Sequence, residues 1–359
     1  MKPSASLAPA VPRPTITETE IGEQPDALAR TLESNAGEIE ALCRDIRSRN
    51  ITTVMIAARG SSDNAGVYAK YLFGAYNGLP VAMAAPSLYT FYHSPPRLSG
   101  VFVLGVSQSG QSEDIVEVMA EARRQGALTA AITRDPDSPI AAQSHRVLTL
   151  DTGPEKAVAA TKTFTSSLAL IAALSVAWEG SRERAESLAR LPELAARTLE
   201  SARAPAAARA PAYRSMDRCV VIGRGFCYGI AMEIALKLKE LTYTTAEPYS
   251  AADFQHGPMA MVEEGFPVVV LAPAGALQAH MVAFARAIRE KKADLIAITD
   301  SSELLEMGAT ALPLPVGTPE WLSPILAVLP GQLFALRLSL AKGIDPDLPR
   351  GLRKVTVTR

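Results

Sequence analysis

Cysteine is scarce in this chain: three residues in 359, at Cys43, Cys219 and Cys227. The number is odd, no two form a C-x-x-C pair, and their neighbours are mostly apolar. That excludes a disulfide framework or a cysteine-based metal centre and predicts reduced, mostly buried thiols. Charge of one sign is also missing, since 36 Lys and Arg stand against 37 Asp and Glu for a formal net charge of -1. So even a balance gives no electrostatic reason to expect a nucleic-acid partner. No window approaches the roughly 18 apolar residues of a membrane span. The N-terminal prolines Pro3, Pro9, Pro12 and Pro14 interrupt any apolar core of signal-peptide type. A cytoplasmic protein with a loose tail over residues 1–30 is therefore expected. Dinucleotide spacing is absent after Arg59-Gly60-Ser61-Ser62, and Gly223-Arg-Gly225-Phe-Cys-Tyr-Gly229 misses it by one residue. No metal cluster, redox cofactor or other cofactor is expected.

What is present begins with residues 101–112, an apolar run from Val101 to Val106 that empties into Ser107-Gln108-Ser109-Gly110-Gln111-Ser112. A strand followed at once by small hydroxyl residues and a helix start gathers backbone N–H groups, hydroxyls and a helix N-terminus around one point, which suits a dianion. The same pattern also reads as an ordinary turn with Ser112 as N-cap. A second instance favours the cradle: residues 52–58 are apolar and end in Arg59-Gly60-Ser61-Ser62. Two such turns can converge on one ligand.

The chain repeats itself. Residues 127–135 are echoed by 293–301, 101–106 by 267–272 and 54–58 by 219–223, at an offset near 166 residues. Each copy alternates short β-branched runs with stretches of helical periodicity, such as 115–125 and 281–291. Alternation of this kind predicts an α/β fold of two tandem doubly wound domains, each a parallel sheet flanked by helices, with ligands at the carboxyl ends of the strands. The expected organisation is a first domain over 31–180, a helical connector over 181–212, a second domain over 213–345 and a tail over 346–359. In the second copy Pro273-Ala-Gly-Ala stands where the first has Ser107-Gln-Ser-Gly, so only the first half keeps the hydroxyls.

The second half instead offers Glu233, Lys237 and Glu240, at i, i+4 and i+7 of a helical stretch. They share one face, while Ile234, Leu238 and Leu241 form another. By itself this reads as a surface ion-pair ladder. The adjoining segment 246–258, a loop containing Gly and Pro, carries Tyr249, Ser250, Asp253 and His256. A histidine near an acid-bearing helix is a candidate general acid or base.

These motifs resemble the double SIS (sugar isomerase) domain family, above all the isomerase half of glucosamine-6-phosphate synthase. The resemblance covers roughly residues 50–357 through Gly60-Ser-Ser62, Ser107-Gln-Ser-Gly-Gln-Ser112, the segment 158–165, Glu233-x-x-x-Lys237-Leu-Lys-Glu240, Gln255-His256-Gly-Pro258 and the tail 349–357. It implies that Ser61, Ser62, Ser107, Gln108, Ser109 and Ser112 hold a sugar phosphate and that Val158 contacts the sugar through its backbone. It further implies that Glu240 moves a proton between C1 and C2 with support from Lys237. His256 would assist ring opening from the neighbouring subunit of a homodimer, and Lys354 would reach the open-chain carbonyl. The implied partner is a hexose or amino-hexose 6-phosphate.

The synthase also carries a glutaminase domain with an N-terminal cysteine nucleophile, whereas here Met1 is followed by Lys2 and some fifty residues precede the first strand. Arg353 replaces the family's small residue, and the serine after the lysine is missing. Glutamine hydrolysis in this chain is not expected. The expected reaction is therefore of deaminating type, from glucosamine 6-phosphate to fructose 6-phosphate and ammonia. Alternatives are a ketose-aldose isomerase, a glutamine-independent aminotransferase-like activity and a non-catalytic sugar-phosphate sensor.

Overall fold

A computed structural model describes residues 14–308, 310–352 and 354. Among the described residues ten strands form two parallel five-stranded sheets. In the first half these are β1 (Thr53–Ala58), β2 (Val81–Met83), β3 (Val101–Val106), β4 (Leu128–Thr133) and β5 (Arg146–Thr149). The second half contributes β6 (Arg218–Gly223), β7 (Thr245–Ser250), β8 (Pro267–Ala272), β9 (Asp294–Thr299) and β10 (Thr310–Pro313). The orders β2-β1-β3-β4-β5 and β7-β6-β8-β9-β10 are the same topology twice, as the internal repeat predicts. The central strands β1, β3, β4, β6, β8 and β9 are nearly continuous buried runs, which is what a parallel sheet covered on both faces requires.

Four differences from expectation concern segments with weak patterns. The edge strands β2, β5 and β10 are three or four residues long and give no clear period. Residues 245–250 form edge strand β7 rather than loop; Pro248 is tolerated because β7 pairs only with β6. The proposed loose tail is ordered from Ile16 onward, in the helices Ile16–Gly22 and Gln24–Ser34. Thr15 caps the first by accepting from the Glu18 N–H, Pro25 falls in the first turn of the second, and Ile21, Ala27 and Leu28 are fully buried. Residues 1–13 lie outside the described residues. Finally, Ser323–Ala341 is long and apolar enough to cross a membrane, contrary to the sequence reading, yet 83% of it is buried inside the protein. It is the core helix that repeats Lys162–Glu179 of the first half.

The halves join through helices. Tyr228–Thr242 packs against both Ser61–Asn77 and Ser323–Ala341, and glycines make the close approach possible. A Cβ on Gly229 would fall 2.5 Å from the Asn64 carbonyl oxygen, and one on Gly331 would meet Ile234 Cδ1 at 2.5 Å. Because backbone oxygen cannot yield as a side chain can, Gly229→Ala should cost about 1–3 kcal/mol and displace the helix that bears Glu240. Thermal unfolding together with turnover checks this; an unchanged melting temperature would show that the helices slide apart freely.

Candidate active site

Three loops of the first sheet meet at its carboxyl end: 59–62 after β1, 107–112 after β3 and 151–161 after β5. With Glu240 and the C-terminal segment they enclose a cavity of about 450 Å³. Its lining includes Ser61, Ser62, Ser107, Gln108, Ser109, Ser112, Val158, Glu240 and Lys354. The helices Ser61–Asn77, Glu113–Arg124 and Lys162–Glu179 all start at this cavity. Three positive helix ends converging on small hydroxyls are an arrangement that suits a dianion. Gly60 makes the first turn with φ +56°, a conformation that a side chain would strain. Ser112 is the N-cap of Glu113–Arg124, but its hydroxyl makes no capping bond, so the simple capping reading is not what the turn shows. Arg59 is fixed at the rim by Asp114, with Nε 2.7 Å from Oδ2.

Glu233, Lys237 and Glu240 do share one face of Tyr228–Thr242, but the face is internal rather than a surface ladder. Glu233 and Lys237 are fully buried, because the helix lies between the two domains. Lys237 Nζ touches Glu240 Oε2 and stands 3.4 Å from Glu233 Oε1. Glu233 in turn accepts from Ser61 Oγ at 3.0 Å and Asn64 Nδ2 at 2.8 Å. Ser61 thus lines the cavity while its hydroxyl serves the helix of the other half. Burial pushes the Glu233 carboxyl up, against the pull of Lys237 and the two side-chain donors. Burial also opposes the Lys237 charge, but Glu233 and Glu240 outweigh it and hold the ammonium above the usual lysine range. Glu240 alone of the three reaches the cavity.

Lys354 is not a solvated tail charge: its Nζ donates to Glu155 Oε2 at 2.6 Å on the cavity wall. Glu155 escaped the sequence reading. Its signal was an acid in a Gly153-Pro154-Glu155 turn just beyond the last strand of the sheet, where ligands to this fold gather. Burial opposes the Glu155 charge, yet Lys354 and the backbone N–H groups of Thr161 and Thr163 draw its carboxyl below the ordinary range. Thr163 and Phe164, in the segment 158–165 to which no role had been given beyond Val158, and Ser167, not anticipated, line the same space. His256 is exposed at the end of Ala251–Gln255 and lines no part of this cavity, and Tyr249, Ser250 and Asp253 stay away from it as well. The three cysteines are all buried, with thiols pushed up by desolvation, to about 11 for Cys43 and about 12 for Cys219. Among the described residues no group of three or more His, Cys, Asp or Glu is placed to hold a metal ion.

The second half has closed its equivalent turn. Arg224-Gly225 repeats Arg59-Gly60, with Gly225 at φ +57°, but the space before residues 273–276 is about 10 Å³. Glu320 fills it: Oε2 accepts from the Ala276 N–H at 3.0 Å, and a Cβ on Gly275 would fall 2.2 Å from Glu320 Cδ.

The family model of the SIS domain matches this chain twice, over residues 47–177 and 212–342. The chain belongs to the SIS domain family. Each match spans one sheet with its helices, so this is a double SIS protein, and the cavity at the first domain includes Glu240 from the second. Curated relatives include the glutamine–fructose-6-phosphate aminotransferases (isomerizing) of Zymomonas mobilis, 34% identical over 95% of this chain, and Aquifex aeolicus, 33% identical over 94%. This chain spans 58% and 57% of their lengths. Among solved structures, a candidate phosphosugar isomerase from Silicibacter pomeroyi superposes with a TM-score of 0.83 at 34% identity, covering 93% of this chain and all of that one. The C-terminal domain of glucosamine-fructose-6-phosphate aminotransferase from Francisella tularensis gives 0.85 at 25% identity, over 95% of this chain and all of that domain.

Proposed function

We propose that this SIS protein is a phosphosugar isomerase of deaminating type, converting glucosamine 6-phosphate and water to fructose 6-phosphate and ammonia. One observation carries the reading: the Glu240 carboxylate faces the same cavity as the two Ser-lined turns and three helix N-termini. The phosphate is held far from the reacting carbons, and that binding energy fixes C1 and C2 against the carboxylate. In the open-chain sugar Glu240 takes the C2 proton as the C1 carbonyl oxygen is protonated, giving an enolamine. The carboxylic acid returns the proton to C1, leaving an imine at C2. Water adds to that carbon and ammonia departs. One carboxylate serves both carbons because they lie on the same face of the planar intermediate. Lys237, held cationic, sits against Glu240 and orients its carboxylate toward the cavity.

Amino-sugar chemistry is supported by the aminotransferase names of relatives that are 33–34% identical along nearly the whole chain. The three cysteines are all buried, and the proposed steps use none of them. In this reading His256 aids ring opening in the cavity of a second copy, consistent with its exposure on its own protomer. The test is release of ammonia together with fructose 6-phosphate from glucosamine 6-phosphate without glutamine. Isomerisation of a hexose phosphate with no ammonia would replace this reading with simple aldose-ketose chemistry. The cradle is tested separately by Ser107→Ala, which should raise KM about tenfold and leave kcat near wild type, since one hydrogen bond to a charged ligand is worth about 1.5–3 kcal/mol. A fall in kcat alone would remove Ser107 from the phosphate site.

A further inference from the structure

We propose that Glu155 is a positioning residue: it anchors Lys354 and so straps the C-terminal segment across the cavity. This rests on the reading of that cavity as the sugar-phosphate site. The Glu155 side chain is wholly buried, and three donors other than the tail hold it. Oε1 accepts from the backbone N–H groups of Thr161 at 3.0 Å and Thr163 at 3.1 Å, and Oε2 accepts from Thr163 Oγ1 at 2.8 Å. All three donors belong to the first turn of Lys162–Glu179 or the loop before it, so the carboxylate is part of the domain wall. Lys354 then adds a fourth bond to Oε2 from 199 residues away in sequence. A charge-assisted bond between a buried carboxylate and a lysine is among the stronger single contacts available to a tail.

The strap has a second fixed point on the other domain. The Arg350 N–H donates to the Tyr243 hydroxyl at 2.7 Å, and its guanidinium stacks 4.3 Å from the centre of the Tyr243 ring. Tyr243 is the left-handed residue, φ +55°, that ends the helix carrying Glu240. Between the two anchors Leu352 lines the cavity. Residues 350–352 thus sit at the end of the helix that carries Glu240, Lys354 sits at the wall of the first domain, and Glu155 decides where its ammonium stops. Among the described residues Lys354 Nζ donates to Glu155 alone, and in this reading its other N–H bonds meet an oxygen of the open-chain sugar.

Hydrogen exchange of residues 350–354 in the full chain, without sugar, reads the strap directly. Exchange should quicken about tenfold in Glu155→Gln and in Lys354→Met, and the double variant should be no faster than either single one, because both break the same contact. Unchanged protection, or additive effects, would overturn the proposal. So would quickening confined to residues 151–161, which is what a carboxylate serving only its own loop would give. Should Glu155→Gln fail to fold, Lys354→Met still decides the matter, since it leaves Glu155 its three donors. With substrate, Glu155→Gln should lower kcat at nearly constant KM, and Glu155→Asp should recover part of the loss; an effect on KM alone would count against positioning. The exchange result stands even if no ammonia is released, so failure of the strap and failure of the proposed reaction are separable.

Discussion

Glu240→Gln should lower ammonia release from glucosamine 6-phosphate by about 10²–10⁴-fold, the usual worth of a positioned general base. The amide is nearly the same size and keeps one acceptor toward Lys237, so the fold and the serine cradle should survive. KM should stay within a few-fold, because the phosphate and not the carboxylate supplies ground-state binding. Isotope exchange sharpens the measurement: the wild type should wash solvent deuterium into the product, and the variant should do neither exchange nor turnover. A variant that still exchanges at wild-type rate would move the base to another residue. A chain that binds sugar phosphates and is indifferent to the substitution would be a sensor.

Lys237→Met should be the most damaging single substitution in the chain for stability. It leaves Glu233 and Glu240 on one interior helix face with no cation between them, and breaking a buried pair costs about 3–5 kcal/mol. The pH dependence has a definite sign. In the wild type the folded pKa of Lys237 is raised, so its contribution is full below the ordinary lysine pKa and is lost only as pH rises through the raised value. Stability from this source is flat across neutral pH. In the variant the carboxyls dominate: Glu233, already pushed up by burial, binds its proton more tightly folded than unfolded. Stability must then fall as pH rises through that interval, and the deficit against wild type should be larger at pH 8 than at pH 5.5. Urea midpoints at the two pH values test this. A gap of equal size at both would mean that the carboxyls are not left facing one another.

The architecture was readable because duplication doubled every signal. A buried strand such as Val101–Val106 announces itself by composition, and its echo 166 residues later rules out chance. The Ser-lined turns were readable for the same local reason, since strand, hydroxyls and helix start are contiguous. What stayed hidden depends on distance in sequence. Glu233 looks like a rung of a surface ladder until the second domain brings its helix against Ser61–Asn77, and only then does Ser61 become its donor. Glu155 and Lys354 are 199 residues apart, and neither has a local pattern that names the other. The helices at 16–34 were missed because the proline-bearing N-terminus was read as a loose tail through residue 30 and Pro25, which sits in a first turn where it costs nothing, was not weighed as a helix start. His256 lies on the surface of its own chain, so its proposed role is carried by the family resemblance and not by a local contact.

Glu320 gives the closed turn of the second domain a different meaning. A carboxylate tethered by its own backbone meets the turn at a high effective concentration, so a dissolved anion has to compete with it. The turn that the first domain keeps open to solvent is, in the second, a lock already holding its key: the same backbone geometry serves recognition in one half and cohesion in the other. An anion that approaches the second turn must displace Glu320 from the Ala276 N–H, so the two halves, alike in topology, answer an added anion differently.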